Sequence, residues 1–192
     1  MIIQERVQQT RHEQMTHTPV FYHPGNGDEK AALLQLLRNH PQIRVYDELH
    51  SQLKELIKSL HPTRPLTREE SEAAIARHLN GTPPEDYGVW VYYPWAEKLV
   101  HLLGKNEFIA LRTSRNLHKI TREERDVLQQ KKLGVIGLSV GQSIALTLAM
   151  ERIGGELRLA DFDTVELSNM NRLRTGVFNL GLPKVILSLI HI

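Results

Sequence analysis

The chain has 192 residues, enough for one domain or two small ones, and its 41% hydrophobic and 24% charged content is that of a globular protein. A formal net charge of only +2 excludes a chain built chiefly around nucleic-acid phosphates. The absence of cysteine excludes a disulfide framework, a thiolate zinc site and a cysteine nucleophile within this stretch. The opening MIIQERVQQTRHEQ lacks the apolar core of a signal peptide, and no apolar run approaches the ~20 residues that span a bilayer. The sequence therefore predicts a cytoplasmic chain with no membrane and no nucleic-acid partner.

The first twenty residues are polar without clear periodicity and read as a frayed arm leading into a short extended piece, Pro19 to Tyr22. Gly25-Asn26-Gly27-Asp28 is turn chemistry, with Asp28 placed to cap the next helix. Leu33, Leu34, Leu36 and Leu37 share a helical face that should stop before Pro41, and Ile43 to Tyr46 alternates as a short strand. Leu49, Leu53, Leu56, Ile57 and Leu60 recur at helical spacing, ended by His61-Pro62. Thr67 with Glu70 forms a capping box before a helix to about Leu79, which Asn80-Gly81-Thr82-Pro83-Pro84 breaks.

Val89 to Tyr93, β-branched and aromatic, reads as a strand. Pro94 is expected to end it and to start a helix carrying Leu99, Val100, Leu102 and Leu103. Thr121 with Glu124 is a second capping box, opening a short charged helix to about Lys132. Histidines are frequent, but none sits as His-x-x-x-His on a helix with a carboxylate in place, so no metal site is predicted. His50, His61, His78 and His101 fall in or beside helices and read mostly as surface residues. Trp90, Tyr92, Tyr93 and Trp95 would serve as an aromatic ligand platform or fill a core, and strand aromatics favour the core.

The chemistry-bearing stretch begins near Lys131. Val135-Ile136 reads as a buried strand running into the turn Gly137-Leu138-Ser139-Val140-Gly141, and then comes a helix with Ile144, Leu146, Leu148, Ala149 and Met150. Gly154-Gly155 ends that helix, and Leu157 to Ala160 is a second strand with Asp161 at its end. This is a βαβ unit. Unpaired amides at a helix N-terminus attract phosphate, and glycine lets the backbone approach closely. Asp161, twenty residues after Gly141, is placed to accept from a ribose hydroxyl. Arg172 offers a planar fork for phosphoryl oxygens, and Lys184 a mobile point charge. A dinucleotide fold needs neither cation, whereas chemistry at an α-phosphate does, because charge grows on its oxygens.

Asp161-Phe-Asp-Thr-Val-Glu-Leu-Ser-Asn-Met-Asn-Arg172, with Gly181-Leu-Pro-Lys184 after it, resembles the signature of the ThiF/MoeB/HesA adenylyltransferases, the superfamily that includes ubiquitin-activating enzymes. The strings Trp90 to Trp95, Leu111 to Asn116, Lys119 to Glu124 and Gly137 to Gly141 are similar to a bacterial branch with an extra N-terminal domain and usually a nitroreductase-like C-terminal domain. The resemblance implies an α/β chain: a small N-terminal α+β domain over residues 1–120, then the N-terminal part of an incomplete Rossmann-like, doubly wound nucleotide-binding domain over 121–186.

It further implies ATP as cosubstrate, with Asp161 on the ribose, Ser168, Asn169, Asn171 and Arg172 along the triphosphate, and Lys184 on the phosphates. Gly137, Ser139 and Gly141 would lie under the nucleotide, Arg172 and Lys184 would be the catalytic cations, and Arg115 (or, second, Arg112) would be donated across a homodimer. The implied reaction is ATP-dependent adenylation of a carboxylate, commonly the C-terminal glycine of a ubiquitin-like or sulfur-carrier protein. The alternatives are an NAD-binding oxidoreductase and a non-catalytic nucleotide- or partner-binding module.

Two departures from the family pattern stand out. Relatives carry Gly-x-Gly-Gly-x-Gly where this chain has Ser139 and Val140, and the family's magnesium-binding aspartate and its cysteines are expected beyond residue 192. The chain by itself is accordingly expected to be an inactive fragment. Residues 187–192 are read as a non-native tail, because Leu-Ser-Leu-Ile-His-Ile resembles a translated transposon-end adapter, or else as a short amphipathic end to the helix after Pro183.

Overall fold

The computed structural model describes residues 2–118 and 120–191. Lys119, the first residue of the Lys119 to Glu124 string, and Ile192, the last of the C-terminal string, lie outside the described residues. The fold is mixed α/β in two compact units: residues 18–114, and a second unit joining the segment through His17 to Arg115 and onward.

The first helix, α1 (Ile2–Gln14), stands where the sequence suggests a frayed arm. It has no buried residue, which is why it lacks apolar periodicity; its Gln, Glu and Arg residues are good helix formers, with no glycine or proline to stop them. Gln14 Nε2 donates to the Phe178 carbonyl at 3.0 Å, within the same unit.

Residues 18–114 hold β1 (Val20–Tyr22), α2 (Gly27–Asn39), β2 (Arg44–Asp47), α3 (Leu49–Leu60), α4 (Arg68–Leu79), β3 (Val89–Tyr93), β4 (Lys98–Leu102) and α5 (Lys105–Arg112). The sheet order is β1-β3-β4-β2, with β3 antiparallel to both neighbours and β2 parallel to β4. Asn26, not Asp28, caps α2: its side-chain oxygen accepts from the Asp28 and Glu29 amides. Thr67 and Glu70 form the expected capping box on α4.

β4 overturns an expectation. Leu99, Val100, Leu102 and Leu103 do not belong to a helix after Pro94; a single 3-10 turn, Pro94–Ala96, reverses the chain through Glu97 in the left-handed region (φ 47°), and β4 pairs with β3. Burial along β4 alternates at the strand period, with Leu99 and His101 inside. His101 is therefore not a surface residue: it is fully buried, stacks on Trp90 at 4.2 Å, and lies with its ring nitrogens 3.0 Å from Asp47 Oδ1 and 2.7 Å from the Tyr87 carbonyl. Trp90 and Tyr92 pack against Leu33, Ile43 and Leu99, as a core role for the strand aromatics requires. A second cluster joins α3, α4 and α5 around Leu49, Leu53, Leu56, Ile57 and Ile75.

The other unit adds α6 (Arg122–Leu128), opened by the Thr121/Glu124 capping box, then β5 (Lys132–Ile136), α7 (Gly141–Met150), β6 (Glu156–Ala160) and α8 (Lys184–Leu189). β5 and β6 pair in parallel, from Lys132 with Glu156 to Ile136 with Ala160, so β5-α7-β6 is a βαβ unit. Among the described residues its sheet has two strands, and Val135-Ile136 is not covered on both faces: Ile136 is 86% exposed. Val165, Leu173, Leu182 and Leu187 form a small core that seats α8. Among the described residues no helix is long and apolar enough to cross a membrane.

Candidate functional site

The site is built where β5 ends. Gly137 has φ +84°, a conformation that L side chains rarely adopt, and its amide donates to the Ala160 carbonyl at 2.8 Å, locking the turn to the end of β6. Gly141, the first residue of α7, is pressed against β5: a Cβ there would lie 2.9 Å from Val135 Cγ1. Ser139 is half-buried between them. Val140 occupies the N-cap with no side-chain hydrogen bond, so the first amides of α7 have no capping acceptor from this residue. Gln142 is buried, and its Nε2 has no hydrogen-bond partner among the described residues.

Asp161 ties this turn to the second strand. Its Oδ2 accepts from the Leu138 amide at 2.5 Å and its Oδ1 from the Asp163 amide at 2.8 Å. Desolvation raises its pKa, but these backbone donors, with Lys184 nearby, outweigh it and hold the carboxyl below its ordinary value. Two amides leave a carboxylate with acceptor capacity to spare.

Lys184 is not the mobile point charge that the sequence suggests. It is 4% exposed, and its Nζ donates to Asp163 Oδ2 at 2.7 Å while its amide donates to the Asp163 carbonyl at 3.0 Å. The bridge between Thr164 and Pro183 and the Val165–Leu187 cluster hold the two segments together. The glycine turn, Asp161, Asp163 and Lys184 thus meet at the end of the βαβ unit.

Four further sequence candidates sit on or beside the 3-10 turn Leu167–Asn171. Asn169 is buried and structural: its Oδ1 accepts from the Glu166 amide at 3.2 Å, in a capping box with that residue. Ser168 Oγ donates to Glu166 Oε2 at 3.4 Å. Arg172 is exposed, with its guanidinium on Asn171 Oδ1 at 2.9 Å. Arg115, also exposed, lies on the 3-10 turn Ser114–His118, and Arg112 at the end of α5 belongs to the other compact unit. Sequence reasoning missed Asp163 and Glu166; Glu166-x-x-Asn169 reverses the usual order of a capping box, so its spacing carried no signal.

A pH dependence arises from Asp161. Because its folded pKa is lowered, its stabilisation is fully present above the unfolded value of about 3.9 and is lost as pH falls through the lower folded one. Asp161→Asn should therefore flatten the acid limb of stability across that interval, measured as melting temperature against pH; an identical acid limb in the variant would refute the assignment.

The chain is 40% identical over 156 residues to an uncharacterized protein of Mycobacterium tuberculosis, a match covering 81% of this chain and 20% of the relative. It thus spans about a fifth of the length of the curated relative that it matches. No protein-family profile matches the chain, and no solved structure matches it.

Proposed function

We propose that this chain contributes the opening of a doubly wound nucleotide-binding domain to an ATP-dependent adenylyltransferase of the ThiF/MoeB/HesA type. The observation that carries the reading is the junction of Asp161 with the glycine turn: a carboxylate bonded to the Leu138 amide, at the mouth of a βαβ unit and beside the buried ammonium of Lys184. Three properties fit a nucleotide. The positive φ of Gly137 turns the chain into α7, and the lack of a side-chain cap there leaves amides of its first turn available to phosphate. Asp161 retains acceptor capacity for a ribose hydroxyl, and Lys184 supplies positive charge nearby.

In this reading a carboxylate, commonly the C-terminal glycine of a ubiquitin-like or sulfur-carrier protein, attacks the α-phosphorus and pyrophosphate leaves. The protein's part is positioning and charge stabilisation. Arg172 would swing from Asn171 onto the phosphoryl oxygens, Ser168 and Asn171 would line the same side, and Asn169 would hold the turn that carries them. Arg115 would act across a homodimer. Magnesium would accompany ATP in this chemistry.

Calorimetry with ATP and with NAD separates this reading from the dinucleotide alternative: saturable binding of ATP and none of NAD is expected, and the reverse would overturn it. Arg172→Ala should slow ATP–pyrophosphate exchange in a full-length parent more than it weakens ATP binding, since the developing charge exists only in the transition state. A weakened affinity with unaltered turnover would reassign Arg172 to ground-state binding.

A further inference from the structure

We infer that a cleft between α3 and α4 binds a small phosphorylated molecule, a diphosphate-sized headgroup on an apolar body. The cleft has a volume of about 550 Å³ and lies wholly within residues 18–114. Sites for small ligands run ~300–1,000 Å³.

The charge around this cleft is uneven. The unit as a whole carries eleven Lys and Arg against twelve Asp and Glu, yet Lys54, Lys58, Arg64 and Arg68 all line this one depression. Two of the four are matched: Lys54 Nζ lies 3.0 Å from Glu72 Oε1, and Arg64 lies 2.8 Å from Glu70 Oε1. Lys58 and Arg68 form no ion pair among the described residues.

The remaining wall is different in kind. Pro62, Pro65 and Leu66 form an apolar side, and Leu66 packs on the helical core behind it. Prolines fix φ, so this loop presents its apolar surface at low entropic cost.

This arrangement selects a class of ligand. Lys54 and Lys58 are one turn apart on α3, and Arg68 projects from α4, so the cations face the cleft from two helices. An anion with two charge centres can bridge them, with the Arg68 fork suited to phosphate oxygens. A nucleic acid needs a longer basic track than one cleft on a unit of near-zero net charge. The apolar wall has no use for a bare inorganic ion and would cover the ligand's body.

Calorimetric titration of the full chain with inorganic pyrophosphate at low ionic strength tests the site's anion specificity. The double variant Lys58→Gln/Arg68→Gln should weaken binding by about tenfold or more, since charge-assisted hydrogen bonds are lost. Glu72→Gln, which removes the only lining carboxylate among the described residues, should tighten it severalfold, an effect that damage to the fold would not produce. Pyrophosphate is also the leaving group of the proposed adenylation, so the titrations are repeated in the Arg172→Ala background, where binding should persist and still fall with Lys58→Gln/Arg68→Gln. Wild-type affinity in the double variant, or loss of pyrophosphate binding only in Arg172→Ala, would overturn the inference.

Discussion

Asp161→Ala is expected to weaken ATP binding about tenfold or more and to loosen the glycine turn even without nucleotide. Two backbone amides depend on this carboxylate, those of Leu138 and Asp163. Hydrogen bonds to a charged acceptor contribute ~1.5–3 kcal/mol, and the variant leaves both amides without that partner. The two effects have different readouts. Hydrogen exchange at the Leu138 amide reports the turn in the free chain, and calorimetry reports the nucleotide. Asp161→Asn should fall between, because its one carbonyl oxygen can keep a single amide. Unchanged ATP affinity in the alanine variant would remove Asp161 from the site, and unchanged Leu138 exchange would refute its structural role. Faster exchange with undiminished ATP affinity would leave Asp161 as a structural residue alone.

The largest effect on stability should come from Leu53→Ala. Leu53 is 1% exposed in the cluster that joins α3 to α4 and α5. Removing a buried leucine costs the transfer free energy of the lost atoms plus the cavity they leave, ~2–5 kcal/mol. The measurement is favoured by the sequence: both tryptophans, Trp90 and Trp95, lie within residues 18–114, so denaturant unfolding monitored by tryptophan fluorescence reports this unit. A change below about 1 kcal/mol would mean that α3 does not hold the unit together. Leu60→Ala makes a matched control, because Leu60 ends the same helix 58% exposed.

Elements set by local rules were legible without the fold. The Thr67/Glu70 and Thr121/Glu124 capping boxes each satisfy amides within one turn of helix, so four residues of sequence suffice to predict them. The βαβ unit was legible for a similar reason: a glycine turn between two apolar runs, closed by Gly154, admits few other conformations. Asp161 was placed at the end of its strand from spacing alone.

Tertiary structure alone decided the pairing between distant segments. Leu99, Val100, Leu102 and Leu103 satisfy helical spacing as well as strand spacing, and Pro94 is a good first residue for a helix. Only the partnership with Val89–Tyr93, and with β2 on the other side, makes a strand of Lys98–Leu102 and buries His101 against Trp90 and Asp47. Lys184 was legible as a cation, but its burial depends on Asp163, twenty-one residues earlier, and on the core that carries α8. Composition and spacing report the chemistry a side chain has; which partner it meets, and so whether its charge is mobile or held, is a property of segments that only the folded chain brings together.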